Sequence, residues 1–267
     1  MKQFLTTVGA ICVATVLSAQ TQKPAGDPWP QWRGPARDGI ATAFTPPAAW
    51  PAQLTRKWQA TVGVGHASPV ISGNRIVVHA RQGNREIVSA YDLESGKQLW
   101  QEGIDAPYTM NPAAIGHGPG PKSTPLISNG RVFTFGISGI FSAHDLATGK
   151  LLWRRNAPPS PPEFGTASSP VADGSNVIVF LGGTRAGALT AMDAATGAEK
   201  WRWTGDGPGY SSPIVATIAG TRQIITQSQT KLVGVSAADG RLLWQTTIKT
   251  PYEQNSVTPL VVNDLVV

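Results

Sequence analysis

The amino-acid sequence predicts an all-β fold assembled from a repeated, four-stranded antiparallel unit. Three observations predict it. The first is composition. Of 267 residues, 29 are Gly and 22 are Pro, and only 14% are charged, against about 25% in an average soluble domain. The hydrophobic share of 41% is too high for a disordered chain, and the turn-forming content is too high for a helical bundle or coiled coil. The second observation is a repeat: YDLESGKQLW (91–100), HDLATGKLLW (144–153), MDAATGAEKW (192–201) and VSAADGRLLW (235–244), each with Gly four residues before Trp. The third is a Ser-Pro or Thr-Pro step ahead of each copy. The steps start at Ser68, Thr124, Ser169 and Ser212, which lie 32, 29, 32 and 32 residues before the Trp.

The four strands of a unit follow from local pattern. In the first copy SPVISG begins an inner strand, RIVVHAR is the second, EIVSAYDL the third and KQLWQ the fourth. Ile87, Ser89 and Tyr91 share one face of the third strand, and Val88, Ala90 and Asp92 the other. Gly96, Gly149, Gly197 and Gly240 supply positive φ where the third strand reverses. Asp92, Asp145 and Asp193 can fold a side-chain oxygen back onto the turn amides. Trp recurs at intervals of 53, 48 and 43 residues, and four strands at that spacing are the signature of a β-propeller blade. The last residues, TPLVVNDLVV (258–267), align with SPVISGNRIVV (68–78) and begin a fifth unit.

The blade type is narrower still. No Trp is followed by Asp, and Gly182-Gly183 is the one glycine pair, which argues against the tryptophan–aspartate and kelch types. The segments resemble the docking motif of pyrroloquinoline-quinone-type propellers: Ala, any, Asp, two any, Thr, Gly, Lys, two any, Trp. The second copy matches throughout, with Ala143, Asp145, Thr148, Gly149, Lys150 and Trp153. The first copy has Ser95 at the Thr place. The third has Ala198 at the Lys place, and the fourth departs at Ser236 and Asp239. The resemblance implies that the indoles of Trp100, Trp153, Trp201 and Trp244 stack on the neighbouring blade. It implies an eight-bladed ring at full length, so the sequence is expected to stop within its fifth unit. WPQWRGPARDGI (29–40) is similar to the opening of secreted bacterial proteins of this class. Trp58 resembles an outer-strand Trp supplied from the N-terminus to close the ring. Trp29 and Trp32 are expected to pack on the outside of the ring, with Arg33 paired to Asp38 or stacked on an indole.

Residues 1–19 read as an export signal. Lys2 precedes an apolar stretch from Phe4 to Leu17, too short to span a membrane and suited to a signal core, with cleavage after Ala19. Residues 20–57 then form an extension and 58–267 the repeats, with no transmembrane segment after cleavage. The expected location is periplasmic or extracellular. Cys12 is the only cysteine, so cleavage leaves no thiol for a metal site or a nucleophile. The net charge of +6 is scattered, unlike the concentrated basic face of a nucleic-acid reader.

No catalytic constellation stands out. The Asp motifs belong to turns and the repeated Trp residues to outer strands. No acidic cluster has calcium-ligand spacing, no helix follows the alternating Gly116, Gly118 and Gly120, and no nucleophile elbow occurs. The family resemblance allows a quinone-dependent dehydrogenase, but the adjacent cysteines of such enzymes are missing. No cofactor is therefore expected, although the quinone is possible. The favoured reading is a non-catalytic binding or assembly scaffold meeting protein or envelope partners, with a polysaccharide or small-ligand binder as another alternative. The same repeat builds an outer-membrane assembly lipoprotein. Propeller geometry gathers the loops between units at one mouth of the central channel. Those loops carry His66, Tyr108, Asn111, His117, Lys122, Phe164, Tyr210 and Asn255.

Overall fold

The structure, a computed structural model, describes residues 28–42 and 44–267. The expected signal segment lies outside the described residues. Four antiparallel four-stranded sheets follow one another along the chain. The first contains β1 (Val70–Ser72), β2 (Arg75–Gln82), β3 (Arg85–Asp92) and β4 (Gln98–Asp105). The second contains β5 (Leu126–Ser128), β6 (Arg131–Phe135), β7 (Phe141–Asp145) and β8 (Leu151–Arg155). The third contains β9 (Val171–Asp173), β10 (Asn176–Gly183), β11 (Ala186–Asp193) and β12 (Glu199–Trp203). The fourth contains β13 (Ile214–Ile218), β14 (Thr221–Gln227), β15 (Lys231–Ser236) and β16 (Leu242–Thr247). A hairpin of β17 (Val261–Val262) and β18 (Leu265–Val266) opens a fifth unit. These are propeller blades, and β1, β5, β9 and β13 lie side by side on the inside of the arc.

Period-2 alternation takes an unusual form because each blade is covered on both faces. In β10, Val177 and Val179 pack with Phe133, Phe135 and Phe141 of the second blade. Ile178 and Phe180 of the same strand pack with Ile224, Val233 and Val235 of the fourth. The strand therefore reads as a continuous apolar run. Val88 and Ala90 likewise meet Ile127 and Val132 across the first interface.

Each outer strand carries the same irregularity. The ladder between third and fourth strands shifts at Ala90/Tyr91, Ala143/His144, Ala191/Met192 and Gly234/Val235. The shift sets Trp100, Trp153, Trp201 and Trp244 opposite Ala90, Ala143, Ala191 and Gly234. A bulge of this kind re-aims a side chain, here at the same point in every blade.

The interface between the first two blades also holds charge. Glu86, fully buried on β3, accepts the Ile137 amide at 2.8 Å. His79 Nε2 lies 3.6 Å and Arg81 Nη1 3.9 Å from its carboxylate. Burial alone would raise the Glu86 pKa; the His79 contact, the Ile137 amide and the Arg81 charge together outweigh it and hold it below the usual value.

Candidate functional site

The indoles fasten one blade to the next. Trp100 Nε1 donates to Leu146 O at 3.0 Å, Trp153 to Ala194 O at 3.1 Å and Trp201 to Ala237 O at 3.0 Å. Each ring lies flat over the turn glycine of the following blade: Trp100 over Gly149, Trp153 over Gly197, Trp201 over Gly240. A Cβ at Gly149 would sit 2.6 Å from Trp100 ring carbons, and its φ is +78°. The turn is shaped by its Asp. Asp145 Oδ1 accepts from both the Thr148 amide at 2.8 Å and the Thr148 hydroxyl at 2.7 Å. Asp92 with Ser95 and Asp193 with Thr196 repeat the arrangement. These hydrogen bonds lower the pKa of all three carboxylates.

Trp58 docks in the same manner on the first blade, donating to Leu93 O at 3.0 Å and covering Gly96. It lies in extended chain. Trp244 differs in its contacts: it bonds Gln223 and lies against Gly234 of its own blade.

The Ser/Thr-Pro steps form a girdle around the axis. The Ser68 amide donates to Thr124 Oγ1 at 3.1 Å, the Thr124 amide to Ser169 Oγ at 3.0 Å, and the Ser169 amide to Ser212 Oγ at 2.9 Å. Each of the first three blades thus hands one backbone donor to the next hydroxyl. The fixed Ser/Thr position in every unit was the signal, but its partner lies a whole blade away in sequence.

Residues 29–39 sit inside this girdle, not on the outside of the ring as expected. Trp29 pairs with Ile71 along the free edge of β1 (3.0 and 2.9 Å), and Pro30 O accepts from Ile127 on β5 at 2.7 Å. Arg37 is buried and donates to Pro170 O at 2.8 Å and Ser169 O at 3.1 Å. Trp32 Nε1 donates to Thr258 Oγ1 at 3.0 Å. The physical reason is that the inner strands leave unpaired backbone groups facing the axis, and this segment supplies their partners. Arg33 does meet Asp38, but through its carbonyl oxygen at 3.0 Å.

At the loop end of the axis a cavity of about 630 Å³ opens. Four inter-blade loops and the segment ahead of β1 build it, and five of the expected residues line it: His66, His117, Lys122, Phe164 and Tyr210. His117 ends a short 3₁₀ turn (Pro112–His117) capped by Asn111, and its carbonyl oxygen accepts from His66 Nε2 at 2.7 Å. Gly120 lets the loop pass directly against Gly65, where any Cβ would collide with the Val64 and Gly65 backbone. Lys122 Nζ donates to Phe164 O at 2.9 Å, and burial pushes its pKa down. The Phe164 amide donates to Tyr210 Oη at 3.3 Å, and the two rings lie 6.2 Å apart. Burial raises the Tyr210 pKa.

The remaining expected residues lie elsewhere. Tyr108 sits behind the wall near Gly165, and burial raises its pKa. Asn111 faces the rim, donating to Glu163 at 3.2 Å. Asn255 is fully buried and ties its loop to Ser228 O and Ile248 O at 3.1 Å. Tyr252, Gln254 and Ser256 also line the cavity; nothing in their local pattern marks them. Among the described residues, no three His, Cys, Asp or Glu side chains gather where they could hold a metal ion.

A family model described as outer membrane protein assembly factor BamB matches residues 84–267. The chain belongs to that family. The factor BamB of Bordetella pertussis is 26% identical over 215 residues, covering 75% of this chain and 49% of the relative. A dehydrogenase subunit of the quinone alcohol dehydrogenase of Komagataeibacter europaeus is 33% identical, but over 45% of this chain and 17% of its own length. Among solved structures, BamB from Moraxella catarrhalis superimposes with a TM-score of 0.52 at 19% identity, covering 73% of this chain and 51% of that one. That likeness shows the propeller fold. The chain spans about half the length of this BamB-family relative.

Proposed function

We propose that this protein is a non-catalytic propeller that serves as a binding or assembly scaffold in the bacterial envelope, engaging partners through its mouth loops. Export directed by residues 1–19 belongs to the same proposal. The observation that carries it is the filling of the ring axis by residues 29–39, held to the inner strands of the first three blades and to Thr258 of the fifth unit. The name of the BamB relatives, outer membrane protein assembly factor, agrees with it.

The quinone of the dehydrogenase relatives fits these residues poorly. Such a cofactor needs an open aromatic platform, a cation to polarise its carbonyl and a base near the substrate hydroxyl. Here Trp29 is packed on Gly34, and its backbone pairs with β1. The turn carboxylates are engaged by their own loops, and no Asp or Glu is among the residues that line the mouth cavity. The test has two arms. Full-length protein incubated with pyrroloquinoline quinone and calcium is expected to show no dye reduction with alcohols or aldoses. A photocrosslinker at Tyr252 is expected to capture an outer-membrane assembly protein in cells, and one at Leu152 on an outer strand is not. Stoichiometric quinone binding with turnover overturns the reading.

A further inference from the structure

We infer that the mouth cavity binds a compact aromatic carboxylate; this rests on the reading of the mouth as the binding face. The volume of about 630 Å³ lies within the roughly 300–1,000 Å³ of small-ligand pockets. Its chemistry is one-sided. Lys122 brings an ammonium to the wall, half-buried and with one of its three donors committed to Phe164 O. No Asp or Glu lies among the lining residues. Glu163 and Glu253 line an adjoining cavity that shares Tyr210 and Tyr252, and both are engaged there: Glu163 accepts from Asn111, and Glu253 pairs with Gln229 and Arg185.

A partly desolvated cation without a counter-ion is costly, and an arriving carboxylate restores what burial removed. The resulting hydrogen bond is charge-assisted, the stronger kind. The other walls choose the ligand's body. Phe164 and Tyr210 present rings tilted by 48° at 6.2 Å, and Ala113, Ala114 and Ala167 leave room beside them. A flat aromatic group stacks there with its carboxylate at Lys122 Nζ. The carboxylate could belong to a free acid or to the end of a polypeptide, and the two sources share this chemistry.

Calorimetric titration of the full-length protein tests the inference, with 3-phenylpropionate and its uncharged amide as probes. The acid is expected to bind at least about tenfold more tightly than the amide. Lys122→Met should abolish that ratio, Lys122→Arg should retain most of it, and Phe164→Ala should weaken both probes. The tripeptide Gly-Gly-Phe, free and amidated, forms a second arm. Equal affinity of the free tripeptide and 3-phenylpropionate points to a chain end, and much weaker tripeptide binding to a free acid; either upholds the carboxylate site. Equal binding of acid and amide, binding of neither, or an unchanged ratio in a folded Lys122→Met variant overturns it. If Lys122→Met does not fold, the wild-type ratio and Lys122→Arg decide. Crosslinking at Tyr252 without carboxylate binding sinks this inference and leaves the scaffold reading standing.

Discussion

At the scale of single residues, stability is concentrated where an indole meets a glycine. Gly149 illustrates why the pair is indivisible: its φ of +78° is one that side chains resist, and the space a Cβ would need holds the Trp100 ring. Left-handed strain costs about 1–3 kcal/mol, and the indole must also shift. Gly149→Ala is therefore expected to destabilise by about 2–4 kcal/mol, read from denaturant midpoints, without loss of the Trp100 side chain itself. Trp153→Ala removes the other partner of the next such pair. Its half-buried indole packs on Phe133 and Phe141, and the loss is expected to cost about 3 kcal/mol, the lower end of the range for large core aromatics. A loss below about 1 kcal/mol in the same measurement would show that the ring is not packed against Gly197. Both residues were legible in the sequence because the turn fixes their offset locally. The fourth copy shows the limit of that legibility: Trp244 keeps its place in the ladder, while its indole contacts depend on what lies beside it.

At the scale of the blade, the sequence announced strands and turns well and inter-blade chemistry poorly. Alternation in β3 was readable, but not that both faces are covered, because a period of two says which residues share a face and nothing about what meets that face. Glu86 is the sharpest case: nothing in EIVSAYDL marks it, yet it is buried beside His79 and Arg81. That arrangement gives a pH dependence. The folded Glu86 pKa is depressed, so its contribution is complete above the ordinary glutamate value of about 4.3 and is lost as pH falls through the lower folded value. His144, buried in the next blade, is also shifted down, chiefly by burial. A histidine kept neutral in the fold contributes stability above its ordinary value of about 6.5, and that contribution declines as pH drops below it. Both signs agree, so thermal unfolding scans should show stability falling in two stages, below about pH 6.5 and again below about 4.3. His144→Phe should flatten the first stage. Glu86→Ala, which leaves the buried Arg81 guanidinium without its carboxylate, is expected to cost about 3–5 kcal/mol at pH 7 and to remove the second stage. Unaltered profiles in these variants would place the acid sensitivity elsewhere.

At the scale of the whole molecule, the ring is held twice, by indoles at its outer edge and by residues 29–39 at its axis. The outer fastening could be read from a repeat, whereas the inner one could not. WPQWRGPARDG has no periodicity of its own, and its partners are backbone groups of inner strands up to about 130 residues away. Arg37 carries the argument furthest. Burial first, and then the neighbouring Arg33, bring its pKa down to about 9, a measure of how unfavourable a charge is at this position. It stays because two carbonyls of the third blade, Ser169 O and Pro170 O, accept its donors, with Gln31 taking a third bond at 3.1 Å. Removing the guanidinium leaves those carbonyls without partners, at about 1–3 kcal/mol for each unsatisfied buried group. It also frees the segment that bridges the first three blades to Thr258. Arg37→Ala is thus expected to lower stability by about 2–4 kcal/mol and to expose 28–42 to protease under conditions where the blades remain intact. Arg37→Lys, with a cation but no planar fork, should fall between the two. If residues 28–42 of Arg37→Ala resist protease as the unaltered protein does, the contacts of Trp29, Pro30 and Trp32 suffice to hold the segment, and the axial fastening does not depend on the buried charge.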